Sequence, residues 1–283
     1  MTKASSNETI DDDFNAFINF PDLATPQACS FYWQLVRDLN LLGIGHVVLG
    51  EFARSMQLIE KIYNIVNDKQ EGEGRPGEKR AESLRKAVKS AEETGREATL
   101  CRTVDNFLVY LSDLMAAIFI REPRLLRSEE QVSMKDVLQH ESIEAFVEWA
   151  AERRVSGLSY KGLPEISSYL SDRIGIPITE DPDRFDKIRR HVLVRNLVVH
   201  RRGVADERFL HAMKGEGYTK GERIKLQPQV TKDVLLVTRE LVEDLDKRAV
   251  AKFGLPTQKT DPAKWWAPFP VAGIPKMRES SDY

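Results

Sequence analysis

Cysteine is nearly missing from this chain: only Cys29 and Cys101 occur in 283 residues. Both lie in apolar surroundings, so they read as buried thiols of a reducing cytoplasm and leave no disulfide framework. Histidine is scarce as well, and the five present (His46, His140, His191, His200, His211) follow no metal-ligand spacing. With no HExxH and no CxxC pair, the sequence gives no reason to expect a metal or another cofactor. GxSxG and GxxxxGK are also missing, which removes nucleophile-elbow hydrolases and P-loop nucleotide binders. Uninterrupted apolar runs stay below the roughly 18 residues a membrane span needs. The opening MTKASSNETIDDDF is polar and acidic, unlike a secretory leader, so the expected location is the cytoplasm. Charge of one sign is lacking too: 42 Lys+Arg stand against 44 Asp+Glu. Any contact with nucleic acid must therefore be local.

What is present describes a globular chain, 41% apolar and 30% charged, with material for one large domain or two small ones. The pattern is helical almost throughout. Residues 1–13 form an acidic lead, and Phe14, Phe17 and Phe20 a short apolar segment able to dock on the body. Residues 27–66 read as one helix, or two joined near Gly43 and Gly45. The glycines of LLGIGHVVLG have the wrong spacing for a dinucleotide fingerprint and follow no strand, so they point to close helix packing, with His46 a packed or interface residue. Glycine, proline and charge over 68–82 mark a loop. An exposed helical stretch over 79–97 follows, then a core helix from Leu100 through Phe119, closed by Pro123.

Ser133 with Asp136 marks a helix start, and further helices are predicted over 142–155 and 163–174, the last ended by Gly175 and Pro177. Beyond residue 204 the pattern predicts a short helix over 205–213 and a strand or extended connection over 221–227. A helix capped by Thr231 then runs to about Phe253, with Val234, Val237, Leu241 and Leu245 inward. The division that results is an N-terminal region (1–78), a helical bundle (79–254) and a Pro- and Trp-containing tail (255–283). Its fold class is all-α: an antiparallel helical bundle with an extra N-terminal helical region and an irregular C-terminal tail.

The other elements are arranged around 183–211, DRFDKIRRHVLVRNLVVHRRGVADERFLH. Asp181 or Asp183 offers an N-cap, Pro182 suits a first turn and Gly203 a stop. A strand competes, because Val192–Val199 is rich in β-branched residues. The pattern runs about five turns, however, which favours a helix. On a wheel, Phe185, Ile188, Val192 and Val199 form one stripe containing Asn196, with Arg195 and His200 at its edges. Leu193, Val194, Leu197 and Val198 make the opposite side apolar. A helix apolar nearly all round is buried on more than one side, one against its own core and the other available to a partner subunit. Buried Arg, Asn and His need partners, and carboxylates from neighbouring helices are the plain structural way to supply them.

The run RNLVVHRRGVADERFL resembles the signature of HEPN-domain proteins: an Arg, a polar residue, a few mostly apolar residues, a His, then a basic turn with Gly. The resemblance covers about 16 residues, and the helical stretch from about 95 to 250 is compatible with it. It implies a helical bundle that pairs as a homodimer, with both copies of the motif meeting at one composite site. Many members of the family are metal-independent endoribonucleases, often toxins or phage-defence effectors restrained by an antitoxin or sensor protein; others are scaffolds without activity.

The residue types suit RNA cleavage. His200 is the candidate for moving a proton off a 2′-OH or onto the leaving 5′-oxygen. Arg195 can hold a phosphate with two parallel N–H groups. Asn196, one helical turn before His200, can orient the imidazole or the ribose. Seven Lys/Arg against one acid over 184–202 make Arg189, Arg190, Arg201 and Arg202 candidate phosphate contacts. The alternative is a nucleotide- or protein-binding scaffold that uses the same polar trio.

Overall fold

In the computed structural model, residues 19–40, 45, 51, 55, 58, 76–126 and 132–261 are described. The fold is all-α, with one two-stranded antiparallel pairing. Strand β1 (Leu23–Ala24) leads into helix α1, whose described part is 26–40. Helix α2 follows (Pro76–Arg121), then a 3-10 turn (Pro123–Leu126), α3 (Met134–Leu138), α4 (Ile143–Lys161) and α5 (Leu163–Tyr169). One π-helical turn (Leu170–Ile174) connects to α6 (Pro182–Arg201), α7 (Glu207–Ala212), α8 (Pro228–Phe253) and β2 (Gln258–Lys259), which pairs with β1.

Helix α2 is the axle. Its 46 residues span about 70 Å, and α4, α6 and α8 all pack along it. The sequence pattern splits this stretch into an exposed helix to 97 and a core helix from Leu100, but no breaker separates them. Gly95 alone does not stop a helix; Thr94 and Thr99 turn their hydroxyls back onto the Ser90 and Gly95 carbonyls, at 2.9 and 2.8 Å. Within α2, Arg85–Arg121 is apolar and long enough to cross a membrane by length and composition, although no single uninterrupted run is. Its apolar residues have a use in the fold: Leu100, Val104, Phe107, Leu111, Leu114, Ile118 and Phe119 are all fully buried. A Cβ added at Gly95 would meet nothing within 4 Å. Gly95→Ala is therefore expected to raise stability by about 0.5–1 kcal/mol, read as a higher denaturation midpoint with an unchanged slope.

The core holds more than the bundle expected over 79–254. Phe20, Phe31, Tyr32 and Leu35 sit in one cluster with Phe107, Tyr110 and Phe119 of α2 and Leu241, Val242 and Leu245 of α8. The N-terminal segment is thus part of the same core. Its anchor is Asp246 on α8, which accepts hydrogen bonds from the Thr25 amide (3.0 Å) and hydroxyl (2.6 Å) and from the Tyr110 hydroxyl (3.3 Å). Thr25 in turn accepts from the Ala28 amide at the start of α1.

Helix α8 presents Val234, Val237, Leu241 and Leu245 inward, as its periodicity predicts. It begins earlier than Thr231, however: Pro228 occupies the first turn, where its missing N–H costs nothing. Ser133 and Asp136 do form a capping box at α3. Over 221–227 the extended connection wins, with a single bridge, Val204 to Arg223. Phe14, Phe17, Gly43, His46, Gly50, most of the loop over 68–82, Trp265 and Trp266 lie outside the described residues.

Candidate functional site

Helix α6 starts as its sequence predicts. Asp181 caps it, accepting from the amides of Asp183 (2.9 Å) and Arg184 (3.2 Å), with Pro182 in the first turn. Its two apolar sides are both buried, and both by its own chain. Ile188 and Val192 enter the main core. Val194 and Leu197 enter a second core with Leu100, Ala205, Phe209, Met213 and Ile224. On the second side, α7 and the connection after it fold back over Val194 and Leu197. At the C-terminal end of α6, Val199, His200, Arg201 and Arg202 stay exposed.

The polar trio is less buried than the wheel implies. Arg195 lies across to α2, where its Nη2 meets Asp105 Oδ1 at 2.7 Å. Its Nη1 donates to Asn196 Oδ1 at 2.9 Å, and its Nε is buried without a partner among the described residues. The side chain keeps 22% of its exposure and Asp105 keeps 46%, so solvent reaches the pair. His200 is exposed, next to exposed Val199, and among the described residues its imidazole makes no hydrogen bond or ion pair. Asn196 therefore positions Arg195, and its carbonyl oxygen does not orient His200. The reason is local: the long guanidinium reaches the neighbouring amide and the acid on α2 together.

The four proposed phosphate contacts divide. Arg189 and Arg190 share the one acid of the segment, Asp186, at 2.6 and 2.5 Å. Arg189 also donates to the Ala212 carbonyl, and Arg190 pairs with Glu216. The two arginines hold the Asp186 carboxyl below the usual carboxylate range and fasten α6 to the α7 region. Both candidate phosphate contacts are thus engaged by carboxylates of the chain itself, with 34% and 41% of their side chains exposed. Arg201 pairs with Asp206 at 3.2 Å while remaining largely exposed, and Asp206 also caps α7.

Arg202 has no partner among the described residues, is exposed, and sits in the left-handed region at φ 55 as the C-cap of α6. It is the one described non-glycine residue with positive φ. Gly203, where the sequence places the stop, comes one position later. A side chain in that conformation costs about 1–2 kcal/mol. Arg202→Gly is expected to stabilise the fold by roughly 1 kcal/mol, measured by thermal melts.

His191 is pushed below its ordinary pKa by burial, opposed by Asp233. It therefore belongs to the packing. Cys101 on α2 lies close by, its thiol raised by burial and by Asp105, with Arg195 opposing. The residue that sequence reasoning passed over is Asp105. The only signal for it was that Asp105, Asn106 and Asp113 interrupt an apolar helical pattern.

Geometrically the site brings together Arg195, Asn196 and Asp105, with His200, Arg201 and Arg202 at the helix end, where the helix dipole favours positive charge. Such a set can bind a phosphate and transfer a proton. No family model matches the chain, and no curated protein or solved structure is found similar to it.

Proposed function

We propose that this chain is a metal-independent endoribonuclease of the HEPN type, acting in the cytoplasm as a homodimer and serving as a toxin or phage-defence effector. The observation that carries the reading is His200: solvent-facing and without a hydrogen bond or ion pair among the described residues, five positions after an Arg held in one orientation on the same helix. In the reaction an imidazole takes the 2′-OH proton, and the 2′-oxygen attacks the adjacent phosphorus. A second proton donor protonates the departing 5′-oxygen, leaving a 2′,3′-cyclic phosphate and a 5′-OH. One His200 cannot hold both protonation states at once, so the second copy supplies the second imidazole. Exposed Val199 and Val204 (49% and 39%) flank His200 and give the second copy an apolar edge.

Arg195 stabilises charge on the phosphate oxygens in the transition state. Its pair with Asp105 is no obstacle. A solvent-reached ion pair is worth about 0–1 kcal/mol, and a phosphate offers the same Nη2 a stronger charge-assisted bond. An antitoxin or sensor protein would restrain such an activity in the cell.

A second reading, a nucleotide- or protein-binding scaffold, is favoured by one observation, the closed Arg195–Asp105–Asn196 arrangement. Expression in a bacterial host separates the two. Growth arrest with RNA breakdown under wild type, lost in His200→Ala, is the expected outcome. Equal harmlessness of wild type and variant would leave the scaffold ahead.

A further inference from the structure

Asp105 has a second environment. Besides meeting Arg195, it borders a groove of about 480 Å³ between α1 and α2, within the range of small-ligand sites. The floor is Phe31 and Tyr110, and the rims are Trp33 and Val109, exposed by 42% and 56%. Three acids line it. Asp38 is taken by Arg102 at 2.5 Å and by Gln34 at 2.9 Å, and Asp105 by Arg195. Asp113 makes no hydrogen bond or ion pair among the described residues, and partial burial lifts its carboxyl above the ordinary value. The groove continues past Asp113 toward Ile120 and Leu255, again with Gln27 and Ser30 in its wall.

These features select a ligand. Asp113 offers two carboxylate oxygens to a pair of parallel N–H groups, and Trp33 offers a flat face. A guanidinium from a peptide would satisfy both, but Arg37 already lies over one face of the Trp33 ring at 4.5 Å, so a second cation on the other face would meet its charge. A neutral planar donor does not. Among nucleobases, guanine alone presents two adjacent donors, N1–H and N2–H, on one edge; adenine and cytosine present a single amino group next to an acceptor, and uracil one N–H between two carbonyls.

We propose that this groove holds a guanine base, stacked on Trp33 and bound through N1–H and N2–H by Asp113. The base belongs either to RNA whose backbone reaches Arg195, a source that rests on the ribonuclease reading, or to a free guanine nucleotide. If RNA is the source, Asp113 is a specificity-determining residue for the cleaved strand.

Isothermal titration of the full chain tests this without requiring catalysis. The probes are the four nucleoside 5′-monophosphates, the pentanucleotides UUGUU and UUAUU with 2′-deoxy linkages, and N-acetyl-arginine amide. GMP is expected to bind about tenfold or more tighter than the other three monophosphates. Asp113→Asn and Trp33→Ala should each remove that preference, while Asp172→Asn, at an exposed acid on the π-helical turn, keeps it. UUGUU binding more tightly than GMP assigns the base to RNA; the reverse assigns it to a free nucleotide. Equal binding of all four monophosphates, no binding of GMP, or binding of the arginine amide instead would overturn the proposal. GMP binding in a chain that cuts no RNA keeps the base site and removes the ribonuclease reading. Cleavage by a chain that binds no GMP does the opposite.

Discussion

Replacing Arg195 by Ala is expected to lower RNA cleavage about 10²–10³-fold, the usual effect of removing one preorganised group that stabilises transition-state charge. The loss should fall on kcat more than on KM, because the guanidinium is most needed when negative charge builds on the phosphate oxygens. Arg195→Lys should not restore the rate: a compact ammonium lacks the planar fork that reaches Asn196 and a phosphate from two fixed, separated nitrogens. The fold should tolerate both changes, since Arg195 keeps 22% exposure and its pair with Asp105 is open to solvent. Wild-type melting with lost cleavage is the outcome that separates a catalytic from a structural Arg195. Unchanged cleavage in Arg195→Ala would remove the guanidinium from the mechanism.

The largest stability effect is expected far from that site, at Asp246. Removing its carboxylate in Asp246→Ala leaves the Thr25 amide and hydroxyl without their acceptor and the Tyr110 hydroxyl with the Val242 carbonyl alone, at 3.5 Å, all in buried residues. Unsatisfied buried donors cost about 1–3 kcal/mol each, with partial relaxation, so a total of roughly 2–4 kcal/mol follows. That corresponds to a fall in Tm on the order of 3–7 °C. Because Thr25 opens α1, hydrogen exchange should rise first in residues 26–40.

The same residue gives a pH dependence. Burial raises the Asp246 carboxyl above its ordinary value, with the Thr25 and Tyr110 hydrogen bonds opposing. The native state therefore binds the proton more tightly than the unfolded chain. Its contribution is full below the unfolded pKa, near 3.9, and is lost as pH rises through the higher folded value. Asp246→Asn, which cannot titrate, should show a flatter stability profile than wild type across that window. Parallel profiles would contradict the assignment.

Local chemistry made α6 and α8 legible. Asp181 and Pro182 announce one helix start, and Val234, Val237, Leu241 and Leu245 recur at helical spacing and are buried as that spacing requires. Thr231 misled because a good capping residue says nothing of whether a Pro three positions earlier has already opened the helix. The unbroken run of α2 was hidden because its first half is charged and its second half apolar. Polarity changed there while the backbone state did not.

The site was legible in part for the same reason. Arg195, Asn196 and His200 stand out within α6, and α6 is where the structure holds them. What they touch depends on packing between helices distant in sequence. Asp105 lies 90 positions before Arg195, and no periodicity links the two. Nor could a wheel tell that α7 and its following connection would cover Val194 and Leu197, a surface that sequence pattern alone leaves open to a second copy.

The most direct test of the account is a purified reaction: full-length protein, an end-labelled RNA and excess EDTA, with wild type beside His200→Ala, resolved on a denaturing gel with chemical identification of the ends. The expected result is fragments from wild type carrying 2′,3′-cyclic phosphate and 5′-OH termini, and intact RNA under His200→Ala. Intact RNA under wild type, or equal cutting by the variant, would contradict it.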